Sequence, residues 1–410
     1  MRIGLLIYGD MDAVSGGYLY NRKLVAYLRR HGVQVAIISL PLRSYWRHLS
    51  DNFSTRCLKQ IAAANIDLLI QDAMVQPSVL LMNRRLTIPV ITLVHLLAGF
   101  DHHPGYSAWF YRAIERHYLK SVSGIIANSL TTLAQIRELL HDSLPPHCLA
   151  VPAGDNFPAV SITILNTGTD CGFSLPLPAG EGWGEGIQKS ANHDRSQYID
   201  AIKQRAMMPG ALKILVVGNV IRRKGLHVLI QSLQQLPAED FQVTVAGRLD
   251  MEPGYVQQLQ KSIRAAGLQE RVILKGPVQG QPLAKLYLQH HLMALPSSYE
   301  SYGIVYVEAQ QFGLPVIGTT AGAAKEIISH GDNGYLITPE DSYALAELLQ
   351  KLHHDRQLLL TLSRNALAAY ARHPRWDESC EIIRQYLYAR LSPYEGNSQQ
   401  IKYQHKRFPL

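Results

Sequence analysis

Residues 297–319 read SSYESYGIVYVEAQQFGLPVIGT, and two carboxylates, Glu300 and Glu308, stand in a run that otherwise has the composition of a core. Residues 302–312 have the content of a helix, closed by Gly313 and Pro315, neither of which continues one. On that helix surface Glu308 has Ile304 and Val305 on one side and Gln311 and Phe312 on the other, so most of its neighbours are apolar. A carboxylate there needs a hydrogen-bonding partner or a shifted pKa, because leaving it charged and unpaired costs several kcal/mol. A polar group is therefore expected against Glu308. A structural salt bridge or a half-exposed stripe edge answers that need as well as a ligand does.

Short β-branched runs alternate with helical pattern on either side of this stretch. In the first half they are residues 2–9 (RIGLLIYG), 34–40, 67–72 (DLLIQD), 89–95, 124–129 and 149–154; in the second half, 213–219, 241–247, 271–276, 291–297, 315–319 and 335–338. Nearly continuous apolar strands alternating with helices predict parallel sheets covered on both faces. The expected fold is α/β, two doubly wound Rossmann-like domains. Ligands bind such sheets outside the carboxyl ends of the strands, so two domains facing each other predict an interdomain cleft. The expected domains are 1–157 and 210–372. Residues 158–209 match neither pattern, and their Gly/Pro-rich centre, PLPAGEGWGEG at 176–186, reads as an irregular insertion or linker in which Trp183 and Glu185 carry no function.

Bulk properties narrow the class. The chain has 410 residues, 47% hydrophobic and 18% charged, which suits two soluble globular domains. The first apolar run is too short for a signal peptide, and no stretch approaches the ~20 apolar residues that span a bilayer. Cys57, Cys148, Cys171 and Cys380 are far apart, so neither a zinc site nor a disulfide framework is indicated. A cytoplasmic location is expected. The net charge of +8 suits an anionic ligand or surface. Without a basic tail, a Cys/His ligand set or an RNP-like aromatic motif, no nucleic-acid partner is expected.

Three segments carry candidate chemistry. In VVGNVIRRKGLHVLI (216–230), Gly218 ends a strand, Arg222, Arg223 and Lys224 form a cationic loop, and Gly225 opens a helix. Charge and backbone donors together make a phosphate site, although a solvated basic loop reads the same way. It is neither a Walker A sequence nor a G-x-G-x-x-G loop. Gly16 and Gly17, after the first strand, allow backbone to approach a ligand, or form a tight turn. His95 closes the fourth strand where ligands sit; a structural histidine is the alternative. Asp10 and Asp12 in a surface loop are weak evidence for metal.

In order and approximate spacing, GNVIRRKG (218–225), VAG (245–247), PSSYESYGIVYVEAQQFGLPVI (296–317) and GDNGYLI (331–337) resemble the donor-binding domain of GT4-type retaining glycosyltransferases of the GT-B fold. SGG (15–17), LVH (93–95), GIIANS (124–129) and VPAGD (151–155) resemble the acceptor-domain landmarks of that family. The resemblance covers nearly the whole chain outside the insertion, and its most specific part is E-x7-E at Glu300 and Glu308.

What the resemblance implies is a nucleoside diphosphate sugar as donor, a hydroxyl-bearing acceptor, and transfer with retention. Glu308 would bind the ribose hydroxyls, Glu300 would lie near the donor sugar, and backbone N–H groups of Gly303, Ile304 and Val305 would face the diphosphate. Lys224 matches the phosphate lysine, His95 a histidine beside the transferred sugar, and Gly16 and Gly17 the loop near the phosphates. Cationic side chains would fill the role of a metal, so no metal or other cofactor is expected. The final helix would return to the first domain, followed after Ser392 by a loose tail. Two positions depart from the pattern. Asn219 stands where arginine is usual, leaving Arg222 or Arg223 to supply the cation, and Tyr302 stands where phenylalanine is usual.

A nucleotide-sugar epimerase on the same fold, and a non-catalytic sugar-nucleotide-binding relic, are the competing readings. Residues 42–60 and 109–120 mix cations with aromatics as peripheral membrane helices do, so contact with an anionic membrane, on its inner face, stands beside a plain solvated helix.

Overall fold

The computed structural model describes residues 1–100, 106–141, 143–157, 161–166, 169–174 and 198–391. They form two compact units, one of residues 1–152 with the C-terminal segment from Pro374, the other of residues 153–373.

The first unit is built on a six-stranded sheet ordered β2-β1-β3-β4-β5-β6, with every neighbouring pair parallel. Its strands are β1 (Arg2–Tyr8), β2 (Gln34–Leu40), β3 (Leu68–Asp72), β4 (Val90–Val94), β5 (Gly124–Ala127) and β6 (His147–Leu149). Strands β3, β4 and β5 are buried along their whole length, which is why they read as continuous apolar runs rather than as alternation. The sixth strand lies earlier than the 149–154 expected: Ala150 N–H still bonds to the Ala127 carbonyl, but Pro152 has no N–H to extend the ladder.

The helix Gly16–Arg30 opens on Ser15, whose hydroxyl accepts from the Tyr18 N–H, and buries Tyr20, Leu24, Tyr27 and Leu28 along one face. The C-terminal helix Trp376–Leu391 packs against it. Tyr27 OH donates to Glu381 at 2.7 Å, Arg30 pairs with Asp377, and the Trp376 ring meets Tyr20 edge-on at 5.3 Å. Tyr386 OH donates to the Pro146 carbonyl beside β6.

In the second unit the sheet order is β11-β10-β9-β12-β13-β14, again all parallel. Its strands are β9 (Leu212–Val217), β10 (Phe241–Ala246), β11 (Val272–Gly276), β12 (Leu292–Ala294), β13 (Val316–Thr319) and β14 (Gly334–Ile337). Residues 158–209, read from sequence as irregular, contain an antiparallel hairpin of β7 (Ser161–Asn166) and β8 (Thr169–Ser174) and a helix at 198–207. That helix buries Tyr198, Ile202 and Ala206, a four-residue spacing that puts all three on one face. Trp183, Glu185, Cys171's side chain and the tail after Leu391 lie outside what the structure describes.

The strand order has a direct consequence. In each sheet the connection reverses direction once, between β1 and β3 in the first and between β9 and β12 in the second. Loops leaving the carboxyl ends on the two sides of such a reversal diverge and leave a crevice.

One buried carboxylate organises the loop after β4. Glu115 accepts from Ala98 N–H at 2.6 Å and Gly99 N–H at 3.2 Å, and Gln76 reaches it at 3.4 Å. Burial pushes its pKa up from 4.5 to about 7, against the pull of those hydrogen bonds and of Arg112. A carboxyl whose folded pKa is raised binds more protons folded than unfolded, so its contribution is full at low pH and lost as pH rises through about 7. Urea unfolding of wild type and Glu115→Gln across a pH series checks this: between pH ~4.5 and pH ~8 the wild type should lose about 3 kcal/mol relative to the variant. The difference between the two proteins removes the opposite contribution of His290 and His291, whose pKa values burial lowers.

Candidate functional site

The second sheet places the cationic loop and the E-x7-E stretch on the two sides of its strand reversal. Gly218 follows β9, Arg222–Lys224 form a single 3-10 turn, and Glu300 lies in the loop after β12. Across this gap Lys224 Nζ lies 2.6 Å from Glu300 Oε2, with both side chains largely buried. Ser297 Oγ donates to the same oxygen at 3.2 Å, and Arg223 donates to the Tyr299 carbonyl at 2.8 Å. Burial acts to raise the Glu300 pKa, but the charges of Lys224 and Arg223 and the hydrogen bonds from Lys224 and Ser297 hold it below the usual carboxylate range. An ionised acid and a cation are thus fixed side by side.

Immediately after Glu300 the chain turns into the helix Ile304–Gln311, shorter at each end than the sequence suggested. Gly303 caps it at φ +100°, and a Cβ there would collide with the Tyr306 ring, so the entry requires glycine. Backbone N–H groups of Ile304 and Val305 have no carbonyl one turn earlier in the helix, the arrangement that favours an anion. Tyr302 keeps the aromatic character of its position and gives its hydroxyl a purpose, bonding to His373 Nε2 at 2.6 Å.

Glu308 sits on that helix among buried neighbours, and two polar groups meet it. Asn156 Nδ2 donates to Oε1 at 2.6 Å and Tyr287 OH donates to Oε2 at 2.9 Å. Burial, and then the Glu308 charge, keep the Tyr287 hydroxyl well above its ordinary pKa. The neighbouring Gln311 bonds to the Phe157 carbonyl, so residues 153–157, which sequence grouped with the first sheet, lie against this helix in the second unit. At the other end of the helix, Arg205 donates to the Phe312 and Gly313 carbonyls and, by burial, has its pKa lowered to about 10. It satisfies the carbonyls that a helix end leaves open.

In the first unit a second group forms at the reversal between β1 and β3. Gly16 and Gly17 open the helix after β1, and a Cβ on Gly17 would lie 3.3 Å from the His95 ring, so glycine makes room for the imidazole. His95 Nε2 lies 3.2 Å from Asn21 Oδ1, and Asn21 Nδ2 donates to Asp72 Oδ2 at 2.7 Å. All three side chains are buried. Burial lowers the His95 pKa, opposed by the Asp72 charge.

Sequence reasoning singled out both members of the Lys224–Glu300 pair, but around Glu308 and His95 it found one member and missed the partners. Asn156, Tyr287, Arg205, Asn21 and Asp72 were not singled out. Asp72 ends the run DLLIQD at a strand's carboxyl end, and Asn21 stands four residues after Gly17 on the same helix face, so both had a readable signal. Asn156 and Tyr287 come from distant segments and had none. For the missing cation at Asn219, the two arginines differ: Arg223 acts electrostatically on Glu300, whereas Arg222 lies over the Tyr255 ring and donates to Gln258. Among the described residues no group of three or more His, Cys, Asp and Glu side chains could hold a metal ion.

Two doubly wound parallel units, the second with a buried acid-cation pair beside a glycine-capped helix start, define the α/β class of the protein. Residues 200–373 match the family described as glycosyl transferases group 1. D-inositol 3-phosphate glycosyltransferase of Xylanimonas cellulosilytica is 33% identical over 184 residues, 45% of this chain and 44% of that protein. The same-named protein of Pseudarthrobacter chlorophenolicus is 27% identical over 201 residues, 48% of this chain and 47% of that one. The chain spans about half the length of the curated relatives it matches. Among solved structures, sucrose-phosphate synthase of Thermosynechococcus elongatus superimposes with a TM-score of 0.74 at 19% identity, covering 95% of this chain and 98% of that one. HepE of Anabaena, solved with UDP and glucose, gives 0.67 at 20% identity, covering 95% and 100%. The fold is GT-B.

The Lys224–Glu300 pair has a measurable signature. Lys224→Met leaves a buried carboxylate without its nearest cation and should cost about 3 kcal/mol in urea unfolding. Adding Glu300→Gln should recover part of that loss, because the uncompensated charge goes with it. Additive costs would show that the two groups do not interact.

Proposed function

We propose that the protein transfers a glycosyl unit from a nucleoside diphosphate sugar to a hydroxyl acceptor, with the anomeric configuration retained. The observation that carries this reading is the Lys224–Glu300 pair held across the strand reversal beside the helix start at Gly303. The relatives named for glycosyl transfer, and HepE solved with UDP and glucose, support it. Glu308 is the acceptor pair for the ribose diol, two hydroxyl donors meeting two carboxylate oxygens. Glu300 faces the donor sugar, and His95 with Gly16 and Gly17 stands by the transferred sugar and phosphates.

In the chemistry of such a transfer, positive charge develops at the anomeric carbon while negative charge builds on the leaving diphosphate. Lys224, Arg223 and the N–H groups at Gly303, Ile304 and Val305 stabilise the diphosphate, a preorganised set that needs no rearrangement as the bond breaks. The leaving phosphate takes the acceptor proton on the same face. No metal is required on this reading, and activity should survive a chelator. The acceptor is a glycan, a lipid-linked sugar or a small molecule. An epimerase would release a changed sugar without any acceptor; a relic would release nothing.

Thermal unfolding with UDP, GDP, ADP and TDP, with and without their sugars, tests the donor site. A nucleotide that binds only the folded protein adds about 2.7 kcal/mol at a hundredfold excess over its dissociation constant. One nucleotide should raise the transition and lose its effect in Glu308→Ala. Folded protein that responds to none of them would falsify the transferase reading.

Peripheral contact with an anionic membrane is the second proposal, and an exposed aromatic cluster favours it. The Trp46 and Phe110 rings lie 5.5 Å apart, and Trp46 and Trp109 are 70% and 73% exposed. Exposed Arg47 and Arg116 stand on the same two helices, Tyr45–Ser50 and Tyr106–Leu119. Aromatic rings at headgroup depth with cations beside them suit an anionic interface. Among the described residues no helix is long and apolar enough to cross a membrane. Sedimentation with phosphatidylglycerol vesicles should pull the protein down at low salt, with phosphatidylcholine vesicles much less, and Trp46→Ser/Trp109→Ser should weaken the association. Equal recovery on both vesicles, or none at low ionic strength, removes the proposal.

A further inference from the structure

We infer that Asp72, acting through Asn21, is a positioning residue that decides which ring nitrogen of His95 carries the proton. Three elements supply the chain of contacts: Asn21 from the helix Gly16–Arg30, Asp72 from the end of β3 and His95 from the end of β4. An ionised carboxylate only accepts hydrogen bonds, so Asp72 Oδ2 takes the Asn21 amide nitrogen at 2.7 Å and leaves the amide oxygen turned the other way. That oxygen lies 3.2 Å from His95 Nε2 and is itself only an acceptor, so Nε2 must be the donor. The Nδ1 nitrogen then holds the lone pair and can accept from a ligand hydroxyl.

The rest of the environment holds this arrangement. Asp72 Oδ1 accepts from the Met74 N–H at 3.0 Å, which fixes the carboxylate. Asn128 Nδ2 donates to the His95 carbonyl at 3.0 Å, and the Tyr20 ring meets the imidazole edge-on at 5.2 Å, which fixes the histidine. Asp72 Oδ2 is also 3.7 Å from His95 Nε2. Direct attraction would favour the imidazolium, but burial lowers the ring's pKa, and the amide between the two groups gives the neutral ring a partner. A neutral imidazole whose tautomer is set by the hydrogen bond on its other nitrogen is the usual way a histidine is made into a defined acceptor. Beside Gly17, this would let His95 accept a sugar hydroxyl, a step that rests on the glycosyl-transfer reading; the tautomer does not.

Two readouts separate the parts. The first is the nitrogen chemical shifts of His95 in uniformly labelled full-length protein without ligand. The expected spectrum has a protonated Nε2 and a lone-pair Nδ1, and in Asp72→Asn, where the Asn21 amide is free to turn over, the Nδ1-protonated form should appear. Asn21→Asp places a second carboxylate against the ring and should raise the pH at which His95 titrates. A wild-type spectrum with the proton on Nδ1 overturns the inference whatever the variants do, and so does an Asp72→Asn spectrum identical to wild type. The second readout is turnover with whichever nucleotide sugar shifts thermal unfolding. Asp72→Asn should lower kcat on the order of tenfold, the lower end of the scale seen for partners that orient metal-bound histidines, while the nucleotide-induced shift stays intact. Unchanged kcat overturns the functional half. Failure of wild type to bind any nucleotide sinks the transferase reading and leaves the spectra to decide the tautomer.

Discussion

A carboxylate as buried as Glu300 stays ionised because cations and a hydroxyl donor are held against it, Lys224 foremost. Lys224 lies at 2.6 Å, and the two residues come from loops that leave different strands on opposite sides of the same reversal. Bringing them together requires β9 and β12 to be neighbours in the sheet, which in turn requires the chain to run outward through β10 and β11 before it returns. The connectivity of the sheet is thus a condition for the charge pair. Fixed charges of this kind cost nothing to orient when a ligand's charge appears, because folding has already ordered them.

The first unit solves a different problem with the same architecture. There the group at the reversal is not an ion pair but a carboxylate, an amide and an imidazole in series, with the amide interposed. An ion pair would hold the ring charged; an amide relay holds it neutral and oriented. One sheet reversal therefore presents fixed charge and the other fixed hydrogen-bond polarity, and the difference lies in a few side chains rather than in the fold.

What was legible in the sequence follows what is local. Twelve strands could be read because each is a short apolar run bounded by polar turns, and burial on both faces makes such runs continuous. The need for a polar partner at Glu308 was readable from its helix neighbours, but Asn156 and Tyr287 were not, since they reach it from segments far away in the chain. The end of β6 was set by Pro152, a local signal overlooked in favour of the apolar pattern around it. The helix at 198–207 had its face of Tyr198, Ile202 and Ala206 in plain view, masked by the Gly/Pro-rich run before it. Asp72 shows the limit from the other side: it was quoted as the end of a strand, and only the fold revealed that the helix Gly16–Arg30 supplies an amide for it.

Gln311 has a consequence of another kind. Its side-chain amide donates to the Phe157 carbonyl, and its own carbonyl accepts from the Tyr198 hydroxyl at 2.6 Å. The chain therefore departs near 157 and arrives near 198 at one and the same residue, so residues 158–197 close a loop whose two ends are pinned together. The entropy of closing a loop depends only logarithmically on its length, about 0.6 kcal/mol for each doubling. A genome could double or halve the length of this stretch for less than the ~0.8 kcal/mol carried by one buried methylene, which makes it a place where evolution can insert sequence without consulting the rest of the fold.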